Sequence, residues 1–332
     1  MKTYVRATVL LVLCFIICLK LAGCGSDSCG PQVCQCGVTL DNVWPNDEGR
    51  GWSYKYTMRT WDDACTLYTD VEDVPPAPSL DYIENLIGEH PIGENVTTSV
   101  GSYRMRFSGD STTMSGATAQ ALRDTAYFPE PLLLLDGHSN PAGDRNSAGG
   151  MSATGAFIEA YTYYRASVLG ESPVAAPGLL PAVYLTPTPI LVHGGAWEKT
   201  DDYIGTYGDI DTEIAWKYLE ADLRTGSEFD YQAPSTGVRI KCRILGKTAI
   251  ETEMGSFENG LDCLYLIDIG VMTIEGSLDP IGYQRHITYG RVIYVPDVGP
   301  VYSYERFFVC VGDTLSSGAG DMELSLMSTG LN

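Results

Sequence analysis

Three stretches of the chain alternate strictly between apolar and polar residues. In WSYKYTMRTW, Trp52, Tyr54, Tyr56 and Met58 share one side and Ser53, Lys55, Thr57 and Arg59 the other, which is the period-two pattern of a half-buried strand. YRMRFSG sets Tyr103, Met105 and Phe107 against Arg104 and Arg106, and VRIKCRILG sets Val238, Ile240, Cys242 and Ile244 against Arg239, Lys241 and Arg243. Aligning Gly109 with Gly246 superposes the last two strands with their apolar and basic faces matched. Upstream, Gly49 to Trp52 then matches Gly194 to Trp197, and downstream YFPEP at Tyr127 matches YVPDV at Tyr294. An internal duplication accounts for these matches. One helix is predicted in SLDYIENLIGEH, with Ser79 as cap, Leu80, Ile83, Leu86 and Ile87 as its stripe and Gly88 as its stop. It follows the Pro-rich connector VEDVPPAPS. Gly137 to Gly150 is loop by composition, and Tyr161 to Val168 receives no assignment.

The fold class these patterns predict is mainly β, with antiparallel sheets in two similar tandem β units, as an open half-barrel or a sandwich, and few helices. The expected first unit is 41–185, with the short helix near 79–88 and the loop region. The second is 186–325, followed by a tail over 326–332. A chain of 332 residues that is 44% hydrophobic has the material for such cores. Its charge is lopsided, with 42 acidic against 21 basic residues and a formal net charge of -21. That charge repels phosphate backbones, so no nucleic-acid partner is expected.

The N-terminus changes the picture. Lys2 and Arg6 precede an apolar run from Ala7 to Leu19, about two-thirds of the ~20 residues a spanning helix needs, and this is how a secretory signal is built. The run ends in Leu21-Ala22-Gly23-Cys24. These four residues resemble the lipobox of bacterial lipoproteins, in which the cysteine thiol takes a diacylglyceryl group. The resemblance implies a signal peptide over 1–23, lipidation at Cys24, a Cys/Gly/Ser tether over 24–40, and a membrane partner reached through the N-terminal lipid. Each buried CH₂ contributes about 0.8 kcal/mol to such anchoring. With Gly25 and Ser26 following Cys24, the family's sorting habit points to the outer membrane of the cell envelope. The alternative for this segment is a plain secretory signal in which Cys24 is one more cysteine.

Of ten cysteines, Cys14 and Cys18 leave with the signal and Cys24 takes the lipid, so seven remain. An exported chain places them in an oxidising compartment, where two or three disulfides and a leftover thiol are expected. The cluster CGSDSCGPQVCQCG lacks the paired knuckles of zinc sites, and no metal or cofactor is expected. Cys242 is read either as a small buried apolar residue or as bonded to Cys310 in RFFVCVG.

The loudest catalytic signal is PILVHGGAWEK, because His193-Gly194-Gly195 resembles the loop with which esterases hold an oxyanion. Such a hydrolase needs a Gly-x-Ser-x-Gly elbow. GSEFDY, PSTGV and GSFENG all miss it downstream, and GGMSATG has Thr154 where glycine is required. GKT at Gly246 lacks the rest of a P-loop. His90, His138, His193 and His286 are dispersed without metal spacing, and Asp209, Asp211 and Glu213 lack that of a calcium loop.

A second resemblance covers most of the mature chain. Pro-x₃-Gly-x-x-Trp-x-Tyr at Trp52, with GSFENGLDC and YVPDVGPV, is similar to a pattern of uncharacterised β-rich bacterial lipoproteins. Gly260 and Asp297 depart from it, standing where that pattern has Cys and Gly. The resemblance implies an exported β domain and brings no catalytic residue. The resulting expectation is a non-enzymatic, membrane-anchored envelope lipoprotein with a structural role or an apolar ligand, a lipid or other small molecule, held against Trp52, Tyr54, Tyr56, Tyr103 and Phe107. An envelope protein is the other partner considered. The alternative is a secreted esterase-like hydrolase using His193.

Overall fold

The computed structural model describes residues 37–62, 66–87, 94–114, 117–127, 191–192, 195–207, 216–233, 237–275, 280–312, 315 and 320–331. All of them fall in one compact unit, Gln35–Asn332. The strands are β1 (Arg50–Asp62), β2 (Glu94–Met114), β3 (Ala117–Tyr127), β4 (Gly195–Lys199), β5 (Tyr203–Tyr207), β6 (Trp216–Glu220), β7 (Glu228–Gln232), β8 (Arg239–Thr252), β9 (Gly255–Glu275), β10 (Pro280–Val295), β11 (Gly299–Val311) and β12 (Gly320–Leu331). Two α-helices accompany them among the described residues, α1 (Leu40–Val43) and α2 (Leu80–Ile87).

The mainly β, antiparallel class is what the alternation predicted, and the strands form a single sheet that is nearly barrel-shaped. Its order is β6-β5-β4-β3-β2-β1-β12-β11-β10-β9-β8-β7. Every step except one joins strands consecutive in sequence. The exception is β1 against β12, in register from Arg50 opposite Leu331 to Thr60 opposite Gly320. Residues 326–331, expected as a tail, therefore continue β12.

The two edge strands, β6 and β7, are also consecutive, and they touch without pairing. The connection between them is fastened to β8: Gly226 N–H donates to Ile244 O at 2.7 Å, and Ile244 N–H donates to Ser227 O at 2.9 Å. Across the seam, Tyr265 Oη of β9 donates to the Tyr218 carbonyl of β6 at 3.1 Å. Bringing the edges together covers the unpaired strand groups that would otherwise template association.

This single sheet replaces the two tandem units. The strand of Trp52 lies directly against Tyr103–Phe107, with Trp52 opposite Met105. The strand of Trp197 lies third from one edge, and Ile240–Gly246 lies on β8, second from the other. The supposed copies are thus wired differently. What the alignment did capture is local: Met105 and Cys242 both face inward and are buried, and Gly109 and Gly246 both take positive φ.

On the inner face, Trp52, Tyr54, Tyr56 and Met58 are each exposed by 1% or less. The space between opposite walls is spanned by Trp44, just past α1. Its ring lies 6.0 Å from Trp52 on β1, 4.7 Å from Trp197 on β4 and 6.2 Å from Tyr294 on β10, centroid to centroid. On the outer face, α2 lays Leu80 and Ile83 on Leu264, Leu266, Ile287 and Tyr289. Ser79 Oγ accepts from Tyr82 N–H at 3.3 Å, as expected of the cap. Because α2 covers one face and the barrel interior the other, Leu264, Tyr265, Leu266 and Ile267 of β9 are all buried in succession. Gly88, the loop at Gly137 to Gly150 and the stretch Tyr161 to Val168 lie outside the described residues.

Trp44→Ala removes the ring that joins three walls, and the expected loss is about 3–5 kcal/mol of unfolding free energy, with a smaller loss for Trp44→Phe. Urea titration followed by circular dichroism measures both. A loss under about 1 kcal/mol for the alanine variant would show that the walls hold each other without it.

Candidate functional site

Inside the barrel, several polar atoms gather on the walls around Tyr265. Tyr265 and Tyr294 place their hydroxyls 3.3 Å apart. Tyr218 continues the aromatic chain, 5.1 Å from Trp197 and 6.3 Å from Tyr265. Cys242 sits opposite Tyr265, and Cys263 opposite Ile244, so the two cysteines are diagonal neighbours on the inner face of β8 and β9. Burial pushes the Cys263 thiol well above its ordinary range, and the adjacent Cys242 adds to this. Burial also raises Tyr54, Tyr265 and Tyr294. A thiol and three phenols that stay protonated supply neither a nucleophile nor a general base at neutral pH. This wall is buried core.

The five aromatic residues expected to face an apolar ligand are filled core. Trp52, Tyr54, Tyr56, Tyr103 and Phe107 are each exposed by 1% or less. Tyr103 lies 6.2 Å from Tyr54 and 6.0 Å from Tyr56, and Trp52 lies 6.1 Å from Phe107. Their polar tips go to the protein itself. Trp52 Nε1 donates to Val298 O at 2.6 Å, Tyr54 Oη to Pro300 O at 2.8 Å, Tyr56 Oη to Met322 Sδ at 3.0 Å and Tyr103 Oη to Val192 O at 3.2 Å.

The expected Cys242 to Cys310 bond is replaced by a different arrangement. Cys242 and Cys263 carry free thiols, and Cys310 is disulfide-bonded to neither of them. Geometry gives the reason: β8 and β11 are separated by β9 and β10, about 14 Å at ~4.8 Å per strand, whereas a disulfide needs Cα atoms within about 7 Å. Cys242 takes the other reading, a small buried apolar residue.

Cys24 lies outside the described residues, as do His193 and Gly194. Gly195 opens β4 opposite Leu122, and Ala196 pairs with Ala121 on one side and Tyr207 on the other. A segment committed to two ladders is not the free loop that an oxyanion hole requires. Just before it, Leu191 and Val192 are buried in the barrel core, and Leu191 N–H donates to Glu305 Oε2 at 3.0 Å.

Sequence reasoning missed a set of buried polar residues on β10, β11 and β12. Asp321 takes a bidentate contact from Arg59 at 2.8 and 2.7 Å, a hydrogen bond from Tyr304 Oη at 3.3 Å, and an ion pair with Arg306 at 3.6 Å. The Arg306 guanidinium lies 5.2 Å from the Trp61 ring centroid. His286 is buried, with Nε2 at 3.0 Å from Gln284 Oε1 and Nδ1 at 3.8 Å from Cys310 Sγ. The available signal was YERFF, where an acid and a base are enclosed by aromatic residues. Glu305 and Arg306 are both buried because both faces of β11 are covered.

No protein-family model matches the chain, and no curated protein matches it. Two solved structures are similar to it. One is described as an exported protein with a YmcC-like fold from Bacteroides fragilis, at 10% identity and TM-score 0.34, over 87% of this chain and 99% of that one. The other is described as a lipoprotein from Parabacteroides distasonis, at 10% identity and TM-score 0.30, over 87% and 98%. Both likenesses are faint, and the functional reading rests on the chain's own residues.

Two expectations follow from this geometry. In the native protein Cys242 and Cys263 should resist a maleimide, and both should label once guanidinium unfolds the chain, as read by peptide mass mapping. Rapid labelling of the folded protein would mean that the interior opens. Burial lowers His286 to about 4 from an ordinary 6.5, so the unfolded chain binds this proton first. Its stabilising effect is complete above pH 6.5, shrinks as pH falls toward 4, and is gone below, a swing on the order of 3 kcal/mol. His286→Leu should therefore lose less stability than the wild type between pH 7 and pH 4 in parallel urea titrations. Equal losses would show that His286 is already solvated.

Proposed function

We propose that the chain is a lipid-anchored envelope lipoprotein of the outer membrane, whose β domain is a non-enzymatic body that meets its partners through its outer surface. The observation that carries this reading is Leu21-Ala22-Gly23-Cys24 placed directly after the Ala7 to Leu19 apolar run. The filled interior supports the surface role over the apolar-ligand one, since Trp52, Tyr54, Tyr56, Tyr103 and Phe107 are occupied by one another and by backbone carbonyls. The formal charge of -21 supports a domain that stands off an anionic bilayer surface while the acyl chains hold it there.

The anchor is tested on the expressed full-length chain. The wild type should partition into detergent with the membrane fraction, and its N-terminal peptide should carry the mass of diacylglyceryl and acyl additions on Cys24. Cys24→Ser removes the sulfur that forms the thioether, so the uncleaved precursor should accumulate. A wild type recovered as a soluble species with an unmodified N-terminus would sink the reading.

A further inference from the structure

The outer face of the barrel holds a concave feature whose chemistry the preceding reading does not use. It is a cleft of about 390 Å³ over the middle of the sheet, where β2, β1 and β12 run side by side. Its floor is made of small residues in register: Gly51 lies opposite Gly330, and Ser53 opposite Ser328. Its wall is basic, because the next strand places Arg106 opposite Gly51 and Arg104 opposite Ser53. The alternation that buries Tyr103, Met105 and Phe107 turns both arginines outward, and both are exposed.

The charge on this face is unusual for the molecule. Arg123 lies directly opposite Arg106 on β3, and like charges in that position repel. Asp110 neutralises Arg123 at 2.9 Å, and Lys55, further along the outer face of β1, is paired with Glu253 at 3.0 Å. Among the described residues, no carboxylate pairs with Arg104 or Arg106. In a chain with twice as many acidic as basic residues, two neighbouring guanidiniums thus stand at the rim of a cleft with no carboxylate partner among the described residues.

We propose that this cleft binds a phosphate group carried by a small molecule or a lipid headgroup. Two uncompensated guanidiniums match the double charge of a phosphate monoester, and each presents a planar fork of N–H donors suited to its oxygens. The Ser53 and Ser328 positions supply hydroxyl donors from the floor, and the glycines keep that floor low enough for the group to enter. The cleft is of the size that small-ligand sites have, about 300–1,000 Å³. At Gly51, an added Cβ would come within 2.9 Å of the Met105 carbonyl, whereas one at Gly330 meets nothing within 4 Å. Gly330 is therefore the position at which the cleft can be filled without pushing on the backbone.

The test is calorimetric titration of the full mature chain in nonionic detergent with inorganic phosphate, and in parallel with mixed micelles containing phosphatidic acid, whose headgroup is a phosphate monoester. Saturable binding of either probe is expected. It should weaken by about tenfold or more in the Arg104→Gln, Arg106→Gln double variant, which removes the donors, and in Gly330→Tyr, which keeps both arginines and occupies the space. Lys55→Gln, outside the cleft, should bind as the wild type does. Binding of phosphate but not micelles assigns the site to soluble phosphates, and the reverse assigns it to headgroups. The proposal is overturned if neither probe binds at millimolar concentration, or if binding persists undiminished in the double variant while circular dichroism shows the fold intact. None of these outcomes depends on whether Cys24 is acylated.

Discussion

A twelve-stranded sheet that curls until its edge strands touch encloses a volume that has to be filled, and in this protein the Trp44 ring fills the gap between opposite walls. It meets Trp52, Trp197 and Tyr294, which belong to strands on three different parts of the sheet. Interiors at crystal-like density transmit such contacts from wall to wall, because a void leaves the lining without partners. Trp52, Trp197 and Tyr294 pack around that central contact.

Filling the interior also settles where polar groups go. Trp52, Tyr54, Tyr103 and Tyr265 spend their donors on backbone carbonyls, since an unmade hydrogen bond there costs about 1–3 kcal/mol, whereas the buried Trp44 Nε1 has no hydrogen-bond partner among the described residues. Charges on β11 and β12 are paired for the same reason. Asp321 collects Arg59, Arg306 and Tyr304, and α2 covers the outer face beside them. A buried ion pair is weak evidence for stability, but removing one partner leaves the other stranded at about 3–5 kcal/mol. These pairs tie β12 to β1 and to β11.

The two faces of the sheet therefore divide the work. The inner face is committed to packing, with Glu305 as a buried acid that accepts from Leu191 N–H. The outer face carries the ion pairs of Arg239, Arg243 and Arg285 with acidic neighbours, the helix α2, and the basic rim at Arg104 and Arg106. With the interior filled, it is the outer face on which charge and shape stay accessible.

The strands around Trp52, Tyr103 and Ile240, the helix begun at Ser79 and the antiparallel class were all legible in the residues. Period-two alternation states which side chains share a face, and a cap states where a helix begins. The lipobox-like run to Cys24 is read from the sequence alone, because targeting signals are linear by nature, and it lies outside the described residues. Alternation is silent about which strand lies alongside, so the repeat alignment turned locally similar strands into two units. Pairing β1 with β12 made them one sheet. Only the tertiary structure showed Cys242 beside Cys263, Glu305 and Arg306 both buried, and Gly51, Gly330, Arg104 and Arg106 gathered around one cleft. Each of these depends on neighbours far away in the chain, and local propensity carries no information about contacts that form only when a sheet closes on itself.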